Sequence, residues 1–501
     1  MSPATSLALL HQLRGLAGPA LTTGLADAAL APFLSADPLL SQAITEAIAA
    51  RRALEPAYAA LVEGPEEALI SSLQAGFLNF YEDDAVNPYV PLAARGPWIV
   101  TSHGAVLHDS GGYGMLGFGH APQPILDALH APWVMANVMT PSVSHLRLTD
   151  ALQHEIGHTR GRCPFERFLC VNSGSESVTV GARISDVNAG LLTGPGGRHE
   201  GRRVKFLAIE GGFHGRTDRP AQASGSSRPR YQQHLASFRS LDNLVLVPAN
   251  NCEALRAAFA AANEEGVFFE LMLMEPVMGE GSPGTATTRA FYDLARSLTR
   301  AHGALLLVDS IQAGLRAHGV LSIVDYPGFQ DAEAPDLETW SKAINGGQFP
   351  LSVLGLSAHA AGLYRRGVYG NTMTGNPRGA EAAVATLAMV TPSLRRNVAE
   401  RGAELLAGLE ALRVEFPELI VGVQGTGLLL AAEIDPALPV VGPDGLERWL
   451  RVRGLGVIHG GRNALRFTPH FRITSAEVAM VLALVRDGLL AVRASVGVAA
   501  R

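Results

Sequence analysis

Two lysines, Lys205 and Lys342, stand among the 40 lysines and arginines of this 501-residue chain. Arginine keeps its proton at any accessible pH, whereas a buried lysine amine can become neutral and attack a carbonyl. A scarce lysine is therefore a Schiff-base candidate, although most lysines are solvated surface cations. Residues 335–341 read as a strand leading into Lys342, and Asn345-Gly346-Gly347 as the turn after it. Thirty-three residues upstream, the apolar run 304–308 delivers Asp309. That spacing is about one strand–helix–strand unit, and it puts acid and amine on neighbouring strand ends. A carboxylate at the C-terminal edge of a buried parallel strand lies where ligand crevices form. A protonated ring nitrogen would hold it ionised; a helix N-cap would use the same residue type.

Asn172-Ser173-Gly174-Ser175-Glu176 follows the apolar run 168–171 and opens a helical pattern. Small residues there let amides and hydroxyls converge on an anion at the positive end of the helix dipole. An ordinary N-cap through Ser173 or Ser175 is the alternative. The segment lacks the GxxxxGK spacing of a nucleotide-binding loop and suits one small phosphate. Amine, acid and phosphate cup together describe one ligand, a pyridine ring bearing an aldehyde and a phosphate.

The elements that must position these residues are legible as short apolar runs, at 168–171, 204–209, 244–247, 271–274 and 304–308, alternating with helical patterns. Such runs imply a mostly parallel sheet covered on both faces, an α/β fold. Residues 1–95 read as a helical N-terminal extension. Residues 96–145 read as the first part of a small domain with a glycine-dense loop, 146–395 as a large domain, and 396–501 as a small α+β domain. The composition, 47% hydrophobic and 17% charged with 54 glycines, supports large cores and many tight turns. A net charge of −6 without charge blocks argues against a nucleic-acid partner. Cys163, Cys170 and Cys252 form no framework, which points to a reducing, cytoplasmic compartment. No secretory signal or membrane span is expected. His103, His108, His120 and His214 have no metal-ligand spacing, so no metal is expected.

With these motifs in order from about Gly104 to Arg493, the chain resembles the class III aminotransferases, pyridoxal-phosphate enzymes of fold type I. The resemblance implies that Ser173, Gly174 and Ser175 form the phosphate cup, and that Phe213 of Phe213-His214-Gly215-Arg216-Thr217 stacks on the cofactor ring. It also assigns Asp309 to the ring nitrogen, Ile311 to the ring face and Gln312 to the phenolic oxygen. Lys342 is the Schiff-base lysine in that scheme. Glu275-Pro276-Val277-Met278-Gly279-Glu280-Gly281 is similar to another family run. The segment 370–377 is similar to a loop that crosses a dimer interface, where Thr372 would touch the neighbour's phosphate, so a homodimer with shared sites is implied. Ser310 departs from the acid common after the pyridine-binding aspartate, and Val178-Thr179-Val180 departs from the usual helix-favouring residues.

The same resemblance implies a ping-pong transfer of an amino group from an ω-amino or diamino acid to a 2-oxo acid such as 2-oxoglutarate. Glu280 and Arg466 match a pair that lets one site take both an ω-amino substrate and glutamate. Tyr113 and Arg216 match residues that hold a distal carboxylate. A racemase, epimerase or aminomutase on the same scaffold, and a catalytically silent binding protein, are the competing readings.

Overall fold

The computed structural model describes residues 1–135 and 138–495. It divides into two compact units, residues 123–399 and residues 1–122 with 400–501.

In the latter unit, β1 (Pro91–Arg95), β2 (Trp98–Thr101) and β3 (Val106–Asp109) form an antiparallel meander. Helices precede it at Pro3–Gly15, Asp27–Ala36, Pro38–Ala53, Pro56–Val62 and Glu66–Gln74. Leu10, Leu13, Leu30, Leu40, Ile44 and Ile48 from these helices are buried with Trp98, Val100 and Val106. Each such side chain contributes about 1.5–3 kcal/mol when taken from water, so the extension and the meander share one core. The Trp98 indole N–H donates to Asp37 at 2.7 Å, which also fixes the entry to the third helix.

The unit 123–399 holds the large sheet. Its strands are β4 (Arg167–Val171), β5 (Arg203–Ile209), β6 (Leu244–Val247), β7 (Val267–Met274), β8 (Leu305–Asp309), β9 (Leu337–Trp340) and β10 (Ser352–Leu356), in the order β4-β10-β9-β8-β7-β5-β6. Of these, β10 alone runs against the rest, pairing antiparallel with both β4 and β9. The parallel pairs β8–β9 and β7–β8 set the register that matters: Asp309 lies opposite Thr339, and Met274 opposite Val308. The strands read as continuous apolar runs because both faces are covered, and every residue of β7, β8, β9 and β10 is buried.

The helix Gly174–Thr193 lies on this sheet, with Val178, Val180 and Ile184 buried against Leu271, Leu305, Leu307 and Leu337. That burial accounts for the β-branched departure in this helix. A few tenths of a kcal/mol of lost helix propensity is outweighed by packing, and the Thr179 hydroxyl turns back to the Ser175 carbonyl at 2.7 Å.

Beyond residue 400, β11 (Ile420–Thr426) and β12 (Leu429–Ile434) precede β13 (Leu455–Gly456), β14 (Ile458–Gly460) and β15 (Ala464–Phe467). Four of them form a sheet in the order β11-β12-β15-β14, and β13 extends the first meander beside β3. The first turn of the terminal helix Ser475–Ser495 carries Glu477, whose carboxylate accepts from Thr474, His108 at 3.2 Å and His470 at 3.0 Å. This grouping of two imidazoles on one acid was invisible in the sequence spacing. No helix among the described residues is long and apolar enough to cross a membrane.

Candidate active site

Three adjacent parallel strands deliver chemistry at their C-terminal edge: β7 ends into Glu275, β8 ends on Asp309, and β9 runs through Ser341 into Lys342. They open into a cleft of about 190 Å³ lined by Ser173, Gly174, Ser175, Phe213, His214, Glu275, Glu280, Asp309, Ile311, Gln312 and Lys342, among others. The expected cofactor residues Ser173, Gly174, Ser175, Phe213, His214, Asp309, Ile311, Gln312 and Lys342 are thereby brought together. Thr372 is not among them; it is exposed on the loop before Asn376.

Lys342 is half-buried, and its amine donates to the Gln312 side-chain carbonyl. Its φ of 48° is in the left-handed region, unusual for a side-chain-bearing residue. Such a conformation persists only where neighbours enforce it. Here the Ser341 hydroxyl and the Asn345 amide both bond the Leu351 carbonyl, at 2.9 and 2.8 Å, and pin the turn. Lys205 has a different setting: it lies on β5, and its amine pairs with the exposed Asp242 at 2.7 Å.

Asp309 is 3% exposed. One oxygen accepts from His214 Nδ1 at 2.9 Å and the other from the Ile311 amide at 3.1 Å. This places a buried carboxylate, oriented by an imidazole, on the floor of the cleft. Glu275 carried no assigned role in the sequence reading. It accepts the amides of Phe213 at 3.1 Å and Gly279 at 2.8 Å, so it ties the aromatic segment to the glycine run. Burial, the larger cause, and the nearby Asp309 charge push its carboxyl up to about 7 against the pull of His214. Its position directly after a buried strand was the available signal.

The N-cap reading of residues 172–176 is met, and it leaves room for the anion. Ser173 caps the helix, its hydroxyl accepting from the Glu176 amide at 3.3 Å while Glu176 reaches back to the Ser173 amide at 3.0 Å. The first-turn amides of Gly174 and Ser175 have no intrahelical partner by construction, which leaves them to an anion. The aromatic segment locks onto the cup, because the Arg216 amide donates to the Ser175 hydroxyl at 3.2 Å. A Cβ on Gly215, whose φ is 121°, would stand 2.3 Å from that oxygen. A Cβ on Gly279 would stand 2.3 Å from Gln312 Cγ. These glycines keep the walls close together. An anion cup at one end, an amine with an amide carbonyl beside it, and a buried carboxylate fit a phosphorylated pyridine aldehyde.

Of the expected substrate residues, Glu280 lines the cleft and Arg216 is exposed, its guanidinium 5.2 Å over the Phe213 ring. Arg466 is buried on β15 of the other unit, opposite Ala431 and Ile458. The Tyr113 side chain lies outside the described residues. Ser310, where the family commonly carries an acid, donates to the buried Glu338 of β9 at 2.6 Å.

Fold and cleft define a pyridoxal-phosphate enzyme of fold type I. A profile described as Aminotransferase class-III matches residues 81–489. The chain is 32% identical over 395 residues to the acetylornithine aminotransferase of Xanthomonas campestris pv. campestris, covering 77% of this chain and 88% of that one. It is 25% identical to the acetylornithine/succinyldiaminopimelate aminotransferase of Yersinia pestis, covering 81% and 93%. Among solved structures, the ornithine aminotransferase of Toxoplasma gondii ME49 superposes with a TM-score of 0.72 at 22% identity, covering 86% of this chain and 96% of that one. The chain belongs to the class III aminotransferases and is a pyridoxal-phosphate-dependent transaminase. These relatives weigh against the isomerase alternative.

Proposed function

We propose that the enzyme takes the amino group of an ω-amino or diamino acid of the ornithine type and hands it to a 2-oxo acid such as 2-oxoglutarate, in two half-reactions at one site. The observation that carries this reading is Glu280 in the wall of the Lys342 cleft, beside an aromatic segment bearing Arg216. The names of the relatives, acetylornithine aminotransferases among them, agree with it. Arg216 would hold a distal carboxylate, and Glu280 would face the neutral chain of an ω-amino substrate.

When bound, pyridoxal phosphate supplies the carbonyl that captures the donor nitrogen and the ring that takes up an electron pair. Ser173, Gly174 and Ser175 would hold its phosphate on the helix dipole. Asp309, kept in place by His214, would face the ring nitrogen and favour its protonated form. Lys342 Nζ would hold the cofactor's carbonyl carbon until the donor nitrogen displaces it, and the freed neutral amine would then carry the proton of the substrate carbon. Gln312 keeps that amine on the cleft side.

The functional unit in this reading is a homodimer in the cytoplasm. Exposed apolar side chains at Val134, Met135, Met139, Val143 and Met373 suit a second copy, and Thr372 beside Met373 would then serve the neighbour's phosphate. None of the three cysteines is in a disulfide, in keeping with a reducing compartment. The test is a half-reaction screen, in which cofactor-loaded protein meets a panel of α-, β- and ω-amines and the visible absorbance is followed. Glutamate and a diamino acid or its N-acyl derivative should bleach it. A response to α-amino acids alone, or turnover without any oxo acceptor, would overturn the proposal.

A further inference from the structure

One carboxylate stands between the phosphate cup and the loop that carries Thr372. Glu176 Oε2 accepts the amides of Asn172 at 2.7 Å and Ser173 at 3.0 Å, the two residues that enter the cup. Its other oxygen, Oε1, accepts the Tyr369 hydroxyl at 2.9 Å and the Asn371 side-chain amide at 2.7 Å. Asn371 then organises the loop, since its Oδ1 accepts the Met373 amide at 2.9 Å and its carbonyl accepts the Thr374 hydroxyl at 2.8 Å. Burial, followed by Glu176 itself, pushes the Tyr369 phenol up to about 12, so it remains a donor throughout the neutral range. Four donors from two segments nearly 200 positions apart in sequence therefore converge on one side chain.

We infer that Glu176 is a positioning residue that couples the phosphate cup to the loop 369–374, so that cofactor binding and subunit pairing strengthen each other. This rests on the reading above, in which the cup takes the cofactor's phosphate and the loop meets a second copy. An anion held by the first-turn amides fixes that turn, and with it the rotamer of Glu176. A fixed Glu176 presents Oε1 to Tyr369 and Asn371, so the loop is ordered before the second copy arrives. The ordering cost is then met once for two binding events. Linkage makes the effect reciprocal: pairing must tighten cofactor binding by the same factor.

The experiment measures subunit association of the full chain by sedimentation, with and without pyridoxal phosphate, in the wild type, in Tyr369→Phe and in Tyr369→Phe/Asn371→Ala. Both variants leave the helix cap on Oε2 intact. In the wild type, cofactor should tighten association by about 5–150-fold, the usual range of such couplings. In the double variant the ratio should fall to about twofold or less, with Tyr369→Phe between. A general weakening of the fold or interface lowers association with and without cofactor alike and leaves the ratio unchanged, so the ratio isolates the coupling. An undiminished ratio in the double variant, or a wild type that pairs equally with and without cofactor, overturns the role of Glu176. A wild type that stays monomeric in both states overturns the pairing reading itself.

Discussion

Replacing Glu338 by glutamine should make the protein more resistant to heating at alkaline pH than at acidic pH, relative to the wild type. Glu338 is completely buried on β9. It accepts the Ser310 hydroxyl at 2.6 Å, the Ser322 hydroxyl at 2.5 Å and the Ile323 amide at 3.0 Å. Burial outweighs these bonds, and repulsion from Asp325 adds to it, so the carboxyl is pushed from its ordinary 4.5 up to about 7. Between those two values the folded protein binds more protons than the unfolded chain, so stability falls as pH rises. The penalty is absent below pH ~4.5 and complete above pH ~7, and a shift of this size amounts to about 3 kcal/mol. Glutamine has the same shape and does not titrate, and a rotatable serine hydroxyl can accept from its amide. For a chain this long each kcal/mol moves Tm by about 1–2 °C, less than in smaller domains. The Tm of Glu338→Gln minus that of the wild type should therefore rise by about 3–6 °C from pH 5 to pH 8. Scanning fluorimetry on both cofactor-loaded proteins measures this, and titrations common to both cancel in the difference. A gap that is flat with pH to within about 1 °C, or that shrinks, refutes the reasoning.

Three further outcomes are expected. Lys342→Ala should lose turnover and the visible absorbance of the attached cofactor, while Lys205→Ala, which removes a buried lysine paired with the exposed Asp242 away from the cleft, should keep both within about twofold; a spectrum that survives in the former would contradict the assignment. Asp309→Asn keeps the side-chain shape but removes the charge, so stopped-flow half-reactions should slow by about 100-fold or more, and an unchanged rate would remove Asp309 from the chemistry. Gly281→Ala would set a Cβ 2.0 Å from the Gly211 carbonyl oxygen, a backbone atom with no rotamer to yield; a loss of about 1–3 kcal/mol, read as lower Tm and weaker cofactor retention, is expected, and no change in either would show that the two loops can part.

What the sequence determined by itself follows from local constraints. Lysine scarcity, a buried strand ending in Asp309, and small residues opening a helix each leave a mark within about ten residues. The strand and helix periods locate the elements to within a few positions, so β5, β6 and β8 fall where the apolar runs stand. The 33-residue interval from Asp309 to Lys342 was enough to place them on neighbouring parallel strands, although the connection carries only a 3-10 turn at Ile323–Asp325 and not the helix of a strand–helix–strand unit. Tertiary structure decided what depends on convergence from afar. That His214 orients Asp309, that Glu275 binds the Phe213 segment, and that Glu176 holds Tyr369 and Asn371 are hydrogen bonds between residues separated by 62 to 195 positions. No spacing rule encodes them. The burial of Glu338 was equally hidden, since an acid in a strand reads as a solvent-facing residue until the sheet is covered on both sides. Hydrophobic pattern specifies which face is buried; which polar groups share that interior is settled only when the chain has closed around them.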